Sequence, residues 1–237
     1  MYYIEKIKFV KFNRKNINST SHMFEGCTLL KDLDISNFNT ENLYSMERMF
    51  YGCGSFRNLD LSNFNTNKVK NMSEMFYNCE HLQKLDLSNF NTKNVEDISS
   101  MFYSCEGLCE LNISKFNTEN VTYMFQMFYK CFYLDKLDLS HFKTDKVQSF
   151  SYMFYECFSL NELNISNFKA CENASLTFMF GGGFRDSLEK VICNDKLIQE
   201  NIKNTYYRKV EINKIGTDYV ITIEKIIIKQ ITNLFIS

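Results

Sequence analysis

Residues 75–92 read Met-Phe-Tyr-Asn-Cys-Glu-His-Leu-Gln-Lys-Leu-Asp-Leu-Ser-Asn-Phe-Asn-Thr, and close variants of this stretch recur along most of the chain. The Met-Phe pair returns every 26 residues, at Met23, Met49, Met75, Met101, Met127, Met153 and Met179. A fixed period of about 20 to 50 residues is typical of repeat proteins. Since each repeat packs only on its neighbours, the period predicts one elongated solenoid.

The repeat begins before the first Met-Phe pair. Apolar residues of the opening segment stand 26 residues before their counterparts, namely Ile7, Phe9, Phe12 and Ile17 before Leu33, Ile35, Phe38 and Leu43. Residues 7–32 therefore form a degenerate first repeat, as expected of a terminal unit. Six repeats follow: 33–58, 59–84, 85–110, 111–136, 137–162 and 163–188. The last is altered, because Gly181-Gly182-Gly183 replaces Tyr-x-Cys, and a final strand is predicted around Val191–Cys193.

Composition excludes several classes of function. The chain has 237 residues and a formal net charge of -1, with no basic run, so binding driven by nucleic-acid phosphates is not expected. No segment has the roughly 18 apolar residues of a membrane span, and the run Ile226–Ile228 is too short. The first residues show no pattern of a secretory signal, so a cytoplasmic location is compatible with the sequence.

Within one repeat the spacing of the apolar residues changes. Leu85-Asp86-Leu87-Ser88 alternates apolar and polar residues, which predicts a short strand with one buried face. Asn91 and Thr92 resemble a helix start, because their side chains can accept hydrogen bonds from free N–H groups. Spacings of three and four from Val95 to Cys105 then predict a helix. The expected fold is an α/β solenoid with short parallel strands on one face and short helices on the other.

The repeat pattern stops after Cys193. We assign residues 1–193 to the solenoid and residues 194–237 to a C-terminal cap. Asn194–Asn204 is predicted to form a short helix, and alternation around Val210–Ile212 and Tyr219–Ile223, with a glycine between, predicts a β-hairpin. Such a cap would cover the open end of the core.

The pattern from Val69 to Thr92, Val-x-x-Met-x-x-Met-Phe-x-x-Cys-x-x-Leu-x-x-Leu-Asp-Leu-Ser-x-Phe-Asn-Thr, resembles the BspA-like leucine-rich repeats. The resemblance extends over about residues 7–193. It implies a leucine-rich-repeat solenoid and, for some members, display on the cell surface and adhesion to host proteins or other microbes. It implies no catalytic residues.

Six cysteines share one phase of the repeat: Cys27, Cys53, Cys79, Cys105, Cys131 and Cys157. Neighbours on such a ladder could reach disulfide distance, but the period alone explains the spacing if the side chains are small buried thiols. Cys109, Cys171 and Cys193 lie off the ladder, and no pair has the CxxC spacing of a zinc site. A thiol enzyme would need one of the histidines, for example His81, to lie beside a reactive cysteine.

Acidic side chains should stack on the solvent face of the sheet, at Asp34, Asp60, Asp86 and Asp138, with Asn112 and Asn164 at the same phase. Like charges at that spacing repel, so the carboxylates could share a cation or a proton. Alternatively, the serine two residues after each of them and the backbone offset the charge.

Some exposed positions become aromatic in only a few repeats, which favours binding over structure. These candidate partner-binding residues are Tyr123, Phe125, Phe132, Tyr133, Tyr152 and Phe158. They could equally be extra packing under shifted helices. We therefore predict a solenoid without catalysis, cofactor or metal that binds a protein, such as a host extracellular-matrix protein, or a glycan. The alternatives are an intracellular interaction scaffold and, more remotely, a thiol-dependent enzyme.

Overall fold

A computed structural model describes residues 3–9, 17–182, 187–206 and 210–223. Each repeat forms one coil of a stack in which equivalent residues lie on successive coils, and the predicted solenoid is confirmed. The strands are β1 Lys6–Lys8, β2 Asp32–Asp34, β3 Lys84–Asp86, β4 Glu110–Asn112, β5 Lys136–Asp138, β6 Glu162–Asn164 and β7 Lys190–Ile192. Strands of three residues are long enough here, because each strand forms hydrogen bonds with the strand of a neighbouring coil.

Strand pairing is parallel and follows the repeat. Leu85 pairs with Leu111 and Leu137 with Leu163, so the register is one full repeat. The pairing forms three groups, β1 with β2, β3 with β4, and β5 with β6 and β7. A second ladder of single bridges runs along another side of the coils through Ser45, Asn71, Asp97 and Tyr123.

The predicted helix from Val95 to Cys105 is wrong, and among the described residues the only helix lies in the cap. Ser100 and Ser104 have φ values of 53° and 51°, a left-handed conformation that interrupts a right-handed helix. The N–H groups of Ser100 and Phe102 donate to Phe125 O and Met127 O on the next coil, at 2.9 and 3.0 Å. Backbone donors are thus satisfied between coils instead of within a helix.

This segment is a series of turns. Met101 N–H donates to Ile98 O, Tyr103 N–H to Ser100 O, and Cys105 N–H to Phe102 O, each closing a turn of four residues. Ser100 and Ser104 are the third residues of the first and last of these turns, and a left-handed residue there is typical of a type II turn. Such turns place Ile98, Met101, Phe102 and Cys105 in the core. These residues are spaced as the apolar face of a helix would be, which is why the sequence predicts a helix here.

The predicted helix-capping threonine has a different partner. Thr92 is 1% exposed. Its Oγ1 accepts from the N–H of Asn117, at 2.7 Å, and donates to Asn117 O, at 2.9 Å. Thr66 and Thr118 hold the next coil in the same way. The hydroxyl therefore joins neighbouring coils rather than starting a helix.

The core is a continuous column of stacked side chains. Phe50, Phe76, Phe102 and Phe128 are fully buried, and their rings stack at centroid distances of 5.6 to 5.8 Å. The leucines of the strands and the cysteine ladder fill the space beside them. Since every layer depends on the one above, stability comes from the interfaces between coils.

The C-terminal end carries a helix and a hairpin. Helix α1 spans Lys196–Thr205, and Asp195 accepts from the N–H of Ile198 at its start. Strands β8 Val210–Ile215 and β9 Asp218–Ile223 pair antiparallel, and β9 also pairs antiparallel with β7. No described helix is long and apolar enough to cross a bilayer. Phe12, Gly183, the run Ile226–Ile228 and the rest of residues 224–237 lie outside the described residues.

Candidate functional site

A row of tyrosines runs along the turn side of the solenoid, one from each of five coils. We call Tyr51, Tyr77, Tyr103, Tyr129 and Tyr155 the tyrosine ribbon. Their rings stack at centroid distances of 4.5, 4.1, 4.4 and 5.4 Å, with interplanar angles of 3° to 11°. Each ring is half-buried. The left-handed residue three positions earlier in each coil turns the chain so that the tyrosine faces outward.

The two ends of the ribbon differ. Arg48 lies over the ring of Tyr51, at 4.1 Å from its centroid, and its guanidinium pairs with Glu25 and Glu74, each at 3.2 Å. At the other end, Tyr152 contacts Tyr155 at 5.5 Å and Phe178 at 5.3 Å. One end of the ribbon therefore carries an arginine paired with two glutamates, while the other end is bordered by further aromatic rings.

Burial raises the pKa of two hydroxyls of the ribbon. It raises the pKa of Tyr129 to about 12 and that of Tyr77 further still, with smaller contributions from the neighbouring tyrosines. A protonated phenol donates and accepts hydrogen bonds. Because each ring covers the face of the next, the interior members of the ribbon offer only ring edges and hydroxyls to a partner.

The structure separates the six aromatic residues predicted from the sequence. Tyr133 and Tyr123 are 64% and 45% exposed, and Phe125 is half-buried. Phe132 and Phe158 stack at 5.0 Å. We call these five residues the outer aromatic group. Tyr152 instead lies beside the end of the tyrosine ribbon, in contact with Tyr155. Within the described ranges no ring contact links Tyr123 or Tyr133 to another aromatic ring.

The aspartate ladder is held by local hydrogen bonds. Asp86 Oδ1 accepts from the N–H of Ser88 at 2.8 Å, and the same turn occurs at Asp34, Asp60 and Asp138. The hydroxyl and N–H of the following serine lower the pKa of Asp34, Asp60 and Asp86. These carboxylates are therefore ionised at neutral pH, and among the described residues no cluster of His, Cys, Asp and Glu could hold a metal ion.

The strand face carries a second charged row, which sequence reasoning missed. Lys84 pairs with Glu110 at 2.5 Å and Lys136 with Glu162 at 2.9 Å, and each pair joins two neighbouring coils. A groove of about 630 Å³ runs over this face between Lys84 and Lys136. The alternation of lysine with an acid one repeat later was a readable signal for these pairs.

The cysteine ladder consists of free thiols. Cys79 Sγ donates to Phe50 O at 3.3 Å and Cys105 Sγ to Phe76 O at 3.1 Å, in the preceding coil. Burial raises the pKa of these thiols well above the ordinary value, which disfavours the reactive thiolate. His141 Nε2 lies 3.0 Å from Ile113 O, a contact that Asn63 and Asn89 make at the same phase of earlier repeats, so it is structural.

The tyrosine ribbon was also absent from the sequence-based candidates. Its signal was present, since a tyrosine follows Met-Phe in five repeats. A residue that recurs in successive coils is typical of a structural position, and the sequence does not show that the ring points outward. Only the left-handed turns place this position at the surface.

Comparison with known proteins gives a family but no function. No curated protein and no solved structure shows a significant match to the chain. Residues 3–110 and 79–191 both match a family model, and together these ranges cover most of the chain. The chain therefore belongs to the family described as "Mycoplasma protein of unknown function, DUF285".

Proposed function

We propose that this chain is a non-catalytic protein-binding solenoid and that the outer aromatic group is its binding surface. The observation that carries the proposal is the exposure of Tyr123 and Tyr133, where the preceding repeat has Asp97 and Gly107. An exposed tyrosine that the fold does not require is a typical anchor of a protein interface. A repeat solenoid presents such side chains on a long rigid surface.

The strand face supports binding less well. Its lysines are already paired with Glu110 and Glu162, and its aspartates are bonded to the following serines. A partner would have to replace these contacts. Exposed ion pairs contribute only about 0 to 1 kcal/mol each, so they give a partner little binding energy.

The outer aromatic group suits a protein partner, and a glycan is the alternative. Tyr123 and Tyr133 are exposed and contact no other ring among the described residues, so their ring faces are free to stack on a side chain or on a sugar. Phe132 and Phe158 cover each other at 5.0 Å and offer mainly their ring edges. Tyrosine hydroxyls also suit the backbone carbonyls and carboxylates of a protein, which favours the protein.

The finer role rests on the resemblance to BspA-like repeats. It favours adhesion at a surface, with an extracellular-matrix protein as the partner, and the alternative is an intracellular scaffold. Nothing in the fold distinguishes the two roles, because both use the same rigid surface. Detection of the protein on intact cells would separate them.

The test is a pull-down with a matched control. Wild type, the double variant Tyr123→Ser/Tyr133→Ser and the control Leu29→Ser/Tyr44→Ser are exposed to purified matrix proteins and to lysate of the source organism. Leu29 and Tyr44 are also exposed apolar side chains, but they lie in other coils. We expect wild type and control to capture the same protein, and the Tyr123/Tyr133 variant to lose it by at least tenfold, ~1.4 kcal/mol. Equal capture by all three, or capture by none, contradicts the proposal.

A further inference from the structure

The parallel sheet is interrupted between β4 and β5, and we propose that this interruption binds an extended segment of a partner protein as an added strand. We call it the slit, with residues 109–113 as one wall and residues 135–139 as the other. Strands border it on both sides, whereas the break between β2 and β3 is bordered by residues 58–60, which are not a strand. The proposal goes beyond the function above, because it uses backbone groups of the strand face and does not depend on the outer aromatic group.

The slit is a local opening between two coils that are joined on either side of it. Ser104 N–H donates to Tyr129 O at 2.7 Å, and Thr118 Oγ1 donates to Lys143 O at 2.8 Å. Between these points, all within the described part of the chain, the two walls form no backbone hydrogen bond with each other. In most residue pairs of β4 and β5 the Cα atoms lie more than 8 Å apart, whereas paired strands are about 4.8 Å apart.

Both walls turn backbone donors and acceptors into the slit. Glu110 and Asn112 form the hydrogen bonds of β4 to the coil of β3. Because alternate residues of a parallel strand bond to opposite neighbours, the N–H and C=O of Leu111 point into the slit. By the same alternation, those of Lys136 and Asp138 point into it from β5. Among the described residues these groups have no hydrogen-bond partner, so the walls resemble two open sheet edges that face each other.

Side chains along the slit show the same interruption. Leu85 and Leu163 are buried in closed parts of the sheet, whereas Leu111 at the equivalent position is half-buried. Glu110 and Lys136 stand one repeat apart, yet each forms its ion pair with the strand on its own side of the slit. A strand that enters the slit therefore covers apolar surface without breaking either ion pair.

An extended polypeptide matches the slit in width, hydrogen bonding and charge. Two sheet spacings amount to about 9.6 Å, so an opening of more than 8 Å is close to the space of one added strand. A peptide backbone has N–H and C=O groups on both edges and can bond to both walls at once. Its central side chain would lie between Leu111 and Leu137, in the leucine column of the core. Because Glu110 and Lys136 place opposite charges on the two walls, an uncharged polar residue suits the position between them.

Amide hydrogen exchange of the full chain tests whether the slit is open. Leu111 N–H faces the slit, whereas Leu85 N–H bonds to β4 in the closed part of the sheet. In the free protein the Leu111 amide should exchange at least about tenfold faster than the Leu85 amide. Equal protection of the two amides would show a closed sheet and overturn the proposal.

A peptide with the required alternation serves as the probe for binding. It is the acetylated and amidated segment of residues 161–166 with Glu162→Gln, which reads Asn-Gln-Leu-Asn-Ile-Ser and carries no charge. At about 1 mM, which saturates a site of micromolar affinity, it should slow exchange at Leu111 at least about tenfold and leave Leu85 unchanged. The control peptide carries in addition Leu163→Asp, which would place a carboxylate in the leucine column, and it should have no effect. No slowing at Leu111, or equal slowing by the two peptides, would overturn the proposal.

Discussion

Replacing one buried hydroxyl tests the idea that threonines hold neighbouring coils together. Thr92→Val keeps the shape of the side chain, but it removes the two hydrogen bonds to the N–H and C=O of Asn117, at 2.7 and 2.9 Å. Each such bond contributes about 0.5 to 1.5 kcal/mol, and a buried group left without a partner costs about 1 to 3 kcal/mol. We expect the free energy of unfolding to fall by about 2 to 3 kcal/mol.

Urea unfolding followed by circular dichroism measures this change, and two further variants identify its cause. Thr92→Ser keeps both hydrogen bonds and loses one methyl group, so about 0.8 kcal/mol should be lost. Thr122→Val removes one exposed 3.3 Å bond to Glu96 O and should cost less than about 0.5 kcal/mol. If Thr92→Val is as stable as Thr92→Ser or more so, the hydroxyl does not hold the coils together and the reasoning is refuted.

Two other features of the coils give predictions that need only stability and reactivity measurements. Gly182 has φ +125°, and an added Cβ would lie 2.6 Å from the backbone nitrogen of Glu156, so Gly182→Ala should lower the free energy of unfolding by more than about 2 kcal/mol. Gly54→Ala, with 3.8 Å of space, should not, and equal effects would argue against this packing. Burial raises the pKa of Cys53 to about 12, so the native thiol keeps its proton while the unfolded thiol loses it above about pH 9. The free energy of unfolding should therefore fall as the pH rises from about 9 to 12, and a titration of the urea midpoint that shows no fall would contradict the buried ladder. In the same samples an exposed thiol such as Cys109 should react with a thiol reagent before Cys53 does.

The period and the strands were predictable from the sequence because they depend on local alternation. Leu85-Asp86-Leu87 alternates as a half-buried strand must, and the 26-residue register follows from the repeat itself. The turn side was not predictable in the same way. Apolar residues three and four apart fit both a helix and a series of type II turns, so burial alone does not distinguish them.

The left-handed residue distinguishes a turn from a helix, but only some coils have a residue type there that indicates this conformation. Gly26, Gly52 and Asn78 are residue types that adopt positive φ readily, and they occupy one phase of the repeat. Ser104, Lys130 and Glu156 have the same conformation at the same phase without any such preference. Comparison of equivalent positions would therefore indicate a turn in the coils of Gly26, Gly52 and Asn78. The residue types at Ser104, Lys130 and Glu156 give no such indication.

The candidate surface was predictable only where a side chain departs from its repeat. Tyr133 stands out because Gly107 precedes it by one period, whereas Tyr103 looks structural because every neighbour has the same tyrosine. Repetition is thus ambiguous, since a stacked row can fill the core, as Phe102 does, or form a surface ridge, as Tyr103 does. The two rows differ by one residue in sequence and by the direction in which a turn points them.

The strained positions explain how this scaffold can carry different surfaces. A non-glycine residue in the left-handed region costs on the order of 1 kcal/mol, yet Arg48, Glu74, Gln126 and Tyr152 all adopt it at one phase. Their N–H groups donate to the next coil at 2.9 to 3.0 Å, so the ladder of backbone bonds, not the side chain, fixes the conformation. Side chains in this row are therefore free to differ in charge and size from coil to coil. Because these residues border the tyrosine ribbon, they can change the charge and shape beside it from coil to coil, while the stack beneath stays the same.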